Sequence, residues 1–132
     1  MQAELIAIQA ALHAPKSQRN SFGNYNYRNC EDILTAVKPL LKEHGVLMTI
    51  SDNVEMAGNW PVVTATVTLT KGTEVVSVTA QAGINPTRKG MDVAQSFGSS
   101  SSYARKYALN GLFLIDDTKD ADSRDNRAEN KA

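Results

Sequence analysis

Apolar residues recur along this chain with two periods, and the switches between them divide it into elements. Leu5, Ile8 and Leu12 fall at helical spacing among strong helix formers, which predicts a first helix over residues 3–13, ending before Pro15. Residues 15–28 are rich in turn formers and read as a loop or a short extended segment. Asn29 is placed to cap a second helix, with Glu31 and Asp32 in its first turn. Its apolar face is Ile33, Leu34, Val37, Leu40 and Leu41, and it should stop at Gly45. Pro39 removes a backbone donor inside that helix and predicts a kink. From Val46 the period falls to two: Leu47, Thr49 and Ser51 alternate with Met48, Ile50 and Asp52, and Gly58-Asn59 supplies a turn. Residues 62–70 and 75–82 are β-branched runs joined across Lys71-Gly72-Thr73, so three strands should form an antiparallel meander. A loop over residues 83–92 then leads into a long helix.

At about 100° per residue that helix has two stripes. Gln95, Ser99, Ser102, Lys106 and Asn110 make one, suited to phosphate; Phe97, Ala104, Ala108, Gly111 and Ile115 make the other, suited to burial and close packing. The expected fold class is therefore α+β, an antiparallel β-meander packed against the long helix. The first two helices should cover its edges or a neighbouring subunit. After Ile115 the chain loses apolar periodicity, so residues 1–115 read as one domain and residues 116–132 as a polar, acidic, disordered tail.

Composition narrows the function classes. No apolar run approaches the roughly 20 residues a membrane helix needs, and no basic region precedes an apolar core at the N-terminus, so a cytoplasmic protein without a membrane partner is expected. The single cysteine, Cys30, has no disulfide partner. Net charge is zero, but residues 1–115 hold eight acids and ten bases, and residues 116–132 six acids and four bases. Any phosphate site must come from local clusters or from repetition in an oligomer, because affinity follows the number of phosphates neutralised. Three clusters exist. The first is Lys16, Arg19, Tyr25, Tyr27 and Arg28, in which cations alternate with rings that can stack a base; the others are Arg88-Lys89 and Arg105-Lys106. Phe22, Tyr25 and Tyr27 could equally anchor a long loop on the core.

Catalytic constellations are thin. His13 and His44 sit where they would close the first two helices, and no phosphate-cradling glycine loop precedes a Lys-Ser or Lys-Thr pair. The one rival is Asp117-Thr118-Lys119, a carboxylate-x-lysine arrangement that could serve a metal-dependent nuclease. The expectation is a binding protein that is not an enzyme and uses no cofactor.

The residues now assembled resemble the Erf (essential recombination function) family of phage single-strand annealing recombinases. The resemblance rests on Asn20-Ser21-Phe22-Gly23-Asn24-Tyr25-Asn26-Tyr27-Arg28, on the segment from Glu31 to Leu41, and on Gly90-Met91-Asp92-Val93-Ala94-Gln95 leading to Ser101-Ser102-Tyr103-Ala104-Arg105-Lys106-Tyr107-Ala108-Leu109. It implies single-stranded DNA binding, ATP-independent annealing, assembly into a homo-oligomeric ring or filament, and kinship with the core of ring-forming annealing proteins. On that basis Arg28, Arg88, Lys89, Arg105 and Lys106 are expected to hold phosphate. Tyr25 and Tyr27 would stack bases or order the loop, and Gln95, Ser99 and Ser102 would make polar backbone contacts. Two departures are visible: Lys106 stands where many members have arginine, which loses the bidentate fork, and the serine tract replaces small alanine or glycine positions. Contact with the host single-strand binding protein would belong to the longer C-terminal region of many members. A passive strand protector without annealing activity is the alternative.

Overall fold

The computed structural model describes residues 1–85 and 90–115. Its elements are α1 (Gln2–Ala11), β1 (Gln18–Asn20), β2 (Tyr25–Tyr27), α2 (Cys30–His44), β3 (Leu47–Ala57), β4 (Trp60–Lys71), β5 (Glu74–Gly83) and α3 (Val93–Phe113). The expected α+β class and antiparallel meander are present, with sheet order β3-β4-β5. Both hairpins turn on two residues, because Ala57 pairs with Trp60 and Lys71 with Glu74. Gly58 and Gly72 supply the positive φ, 63° and 61°, that such tight turns demand. The expected tail and the carboxylate-lysine rival at Asp117 lie outside the described residues.

Strand alternation decides which face is covered. Val63, Ala65, Val67 and Leu69 of β4 are buried, flanked by Met48, Ile50 and Asp52 of β3 and by Val76, Val78, Ala80 and Ala82 of β5. The core lies between this face and the helices. Ile8, Ile33, Val37, Leu109 and Phe113 are fully or almost fully buried with Val67 and Leu69, while Val63, Ala65, Ile84 and Ala104 form a second, smaller cluster. Each such large side chain contributes about 1.5–3 kcal/mol of burial. The first two helices share one buried cluster with α3 and with Val67 and Leu69 of the sheet. They pack beside α3 over the same face, where Gln9 Nε2 of α1 donates to the Leu112 carbonyl at 2.9 Å.

Local chemistry explains most boundaries. Asn29 accepts from the Asp32 N–H while Asp32 accepts from the Asn29 N–H, both at 2.9 Å, so α2 begins on a reciprocal capping box. It ends at Gly45, whose φ of 66° is the left-handed conformation expected there. α2 runs through Pro39 to His44. Pro39 and its i−4 partner Thr35 are both on the exposed face, where water can take the orphaned carbonyl. α1 stops two residues short of the expected end: Leu12 is already extended, so His13 does not close it. The residues read as a loop contain a short hairpin, with Gln18, Arg19 and Asn20 opposite Tyr27, Asn26 and Tyr25. Asn24, at φ 56°, makes its turn.

Leu114 follows α3 at φ 58° and is 72% exposed. A left-handed leucine is strained by its Cβ. Leu114→Gly is therefore expected to raise stability by about 1 kcal/mol in urea unfolding; a loss of stability would show that the side chain has a packing role.

Candidate nucleic-acid interface

α3 sorts its serines by face. Ser96, Ser100 and Ser101 are buried against the sheet. Ser96 Oγ donates to the Asn85 carbonyl at 2.5 Å, Ser100 Oγ to the Gly83 carbonyl at 2.7 Å, and Ser101 Oγ to Asp52 Oδ2 at 2.6 Å. Small side chains let the helix approach the sheet, and each hydroxyl satisfies a polar group there. Ala104 and Ala108 continue this buried face as expected, but Gly111 does not: it is exposed, and a Cβ built on it would meet nothing within 4 Å. The polar stripe read from the sequence does point outward. Gln95 and Ser102 are exposed, and Ser99 and Lys106 partly so.

Two of the expected contacts carry structural duties. Gln95 closes a capping box with Asp92: its N–H donates to Asp92 Oδ1 at 2.7 Å, and its Oε1 accepts from the Asp92 N–H at 3.1 Å. Arg105 grips Asp52, Nε donating to Oδ1 at 3.1 Å and Nη2 to Oδ2 at 3.0 Å. Asp52 occupies an inward position of β3, opposite Ala65. A carboxylate on an apolar register needs partners, and this was the signal in the sequence. Burial alone would raise the Asp52 carboxyl, but the hydrogen bonds from Arg105 and Ser101 hold it below its ordinary value.

Glu4, hydrogen-bonded by Lys71 Nζ at 2.7 Å, is held down to about 2. Both carboxyls lie lower in the folded chain than in the unfolded one, so their stabilisation is complete above the ordinary carboxylate range and lost as pH falls through the folded values. Thermal midpoints should decline as pH drops from about 4.5 toward 2. A flat profile over that range would contradict the two pairings.

The first cluster behaves as a built hairpin. Asn20 Nδ2 donates to the Tyr25 hydroxyl at 3.0 Å, the Tyr25 and Tyr27 ring centroids lie 6.1 Å apart, and a Cβ on Gly23 would collide with the Tyr25 ring. Arg19 bonds Asn24 and Asn26, and Arg28 Nε donates to the Ala14 carbonyl at 2.8 Å. Next along the chain, Cys30 is raised chiefly by burial, while Arg105 and Lys106 are near enough to pull it back. α2, which follows the hairpin, packs against α3. Arg88 and Lys89 lie outside the described residues, between Asn85, two residues past β5, and the Asp92 cap of α3. The same α3 segment carries two tyrosines, Tyr103 and Tyr107, which are exposed with centroids 6.2 Å apart. Their i, i+4 spacing around Arg105-Lys106 is visible in the sequence.

The family model of the ERF superfamily matches residues 1–132. This chain belongs to the ERF superfamily. A relative from Salmonella phage P22, described as an essential recombination function protein, is 52% identical over 130 residues. The alignment covers 98% of this chain and 62% of the relative, so the chain spans about three-fifths of that protein's length. No solved structure matches it. Membership bears out the resemblance carried by the Asn20-to-Arg28 segment and by α3. No helix among the described residues is long and apolar enough to cross a membrane.

Proposed function

We propose that this ERF chain binds single-stranded DNA along the outer face of α3 and promotes annealing of complementary strands without ATP, in phage homologous recombination within the bacterial cytoplasm. The observation that carries the reading is the outward stripe of Ser99, Ser102 and Lys106 on α3. Hydroxyls and a cation along about two turns of one helix suit a phosphate backbone held lengthwise. Lys106 leads this contact with the outer edge of Arg105 beside it, and Arg28, Arg88 and Lys89 are further candidates for phosphate. Tyr25 and Tyr27 order the hairpin. The name of the phage P22 relative, which speaks of recombination, agrees with this reading.

An excess of two bases in residues 1–115 is too small for one copy to hold a strand tightly. Assembly into a ring or filament would align the clusters into a continuous track. Binding would then fall steeply with salt, and the mass measured with and without single-stranded DNA would report the assembly. Holding phosphates leaves base edges free to pair, which is annealing with no bond made or broken.

A fluorescence annealing assay without ATP or magnesium tests the reading. Acceleration of pairing supports it. A passive strand protector would bind yet slow pairing, and a nuclease would act only after metal is added; either result overturns the proposal.

A further inference from the structure

The Tyr103–Tyr107 pair sits on the outer face of α3 and has no part in the core. Tyr103 is 53% exposed and Tyr107 47% exposed, while the residue that follows each of them, Ala104 and Ala108, is buried. Their rings lie 6.2 Å apart and 30° from parallel, within the separation that paired aromatics favour. Lys106 lies between them in the chain, and Ser99 and Ser102 precede them on the neighbouring stripe. The hairpin tyrosines differ: Tyr25 and Tyr27 are half-buried, with the Tyr25 hydroxyl bonded to Asn20 and its ring lying over Gly23.

Resting on the single-strand-binding reading above, we propose that Tyr103 and Tyr107 form a stacking platform for bases of the strand whose phosphates run along α3. Two rings on successive turns of a rigid helix brace each other, so little side-chain freedom remains to be lost when a base arrives. Stacking uses the face of a base and leaves its pairing edge open, so the platform orients bases for a complementary strand. It is also indifferent to sequence, because every base has a π-face. Phosphate contacts from Lys106 and base contacts from the tyrosines are then separable on one helix.

Two probes of about 16 nucleotides distinguish them, an oligothymidine and an abasic strand of equal length. The wild-type chain should bind the base-bearing probe about tenfold or more tighter than the abasic one. In the Tyr103→Ala, Tyr107→Ala double variant that preference should collapse toward unity, with abasic affinity, salt slope and oligomer mass unchanged. The Tyr103→Phe, Tyr107→Phe variant should keep it. Lys106→Ala should weaken both probes and leave their ratio intact. If wild type binds both probes equally, the platform is overturned while strand binding stands; if it binds neither, strand binding itself fails. A double alanine variant that keeps the preference, or that changes oligomer mass while the preference is retained, also overturns the platform and assigns the rings to subunit packing.

Discussion

Arg105→Ala is expected to cost about 2 kcal/mol of stability, roughly 6–10 °C in thermal midpoint for a domain of this size. The guanidinium makes two hydrogen bonds to Asp52, whose side chain is only 15% exposed. Removing it strands a largely buried carboxylate with Ser101 as its remaining partner. The partly exposed arginine keeps the loss below that of a fully buried pair. Asp52→Asn in the same chain should restore part of the stability, since an amide needs no counter-charge. Lys106→Ala, one position along, should leave the midpoint within about 0.5 kcal/mol of wild type. Equal thermal stability of the Arg105 and Lys106 variants would contradict the division of labour between these two cations.

Ala104→Leu is expected to cost about 3 kcal/mol. Ala104 is fully buried where α3 crosses the sheet, packed among Val63, Ala65 and Ile84, with Phe97 and Ala82 alongside. Interiors are close-packed, so added methylenes at this buried site should push the helix away from β4. Lifting it would also lengthen the Ser100 and Ser101 hydrogen bonds, which are 2.7 and 2.6 Å. The variant should unfold at distinctly lower urea concentration with an unchanged m-value. Unchanged stability would show that the helix does not rest on the sheet through its small residues.

The meander was legible because its signals agree: two-residue periodicity through β3, β4 and β5, with Gly58 and Gly72 at turns that require positive φ. α2 was legible for the same reason, with Asn29 at one end and Gly45 at the other. The β1–β2 hairpin was not, because three-residue polar strands carry no hydrophobic period and Asn24 takes the turn conformation without a glycine.

In α3 the outward stripe is readable from Lys106 and Gln95, but the inward one only from its alanines. Four consecutive serines, Ser99 to Ser102, offer no hydropathy contrast, so nothing in their order says that Ser100 and Ser101 point at the sheet. Gly111 misleads for a related reason: small size permits close packing without requiring it. Arg105 reads as a phosphate contact in the sequence because its partner lies 53 residues away on another element. Long-range pairing of that kind follows from the register that brings Asp52 to the inner face of β3.

The central claim is that the outer face of α3 holds the phosphates of a single strand. A salt titration of oligonucleotide binding to wild type and Lys106→Ala, with thermal midpoints measured alongside, tests it most directly. The expected result is weaker binding by the variant at low salt and a salt slope shallower by about 0.7 per lost phosphate contact, at equal stability. Identical affinity and identical slope would contradict the account.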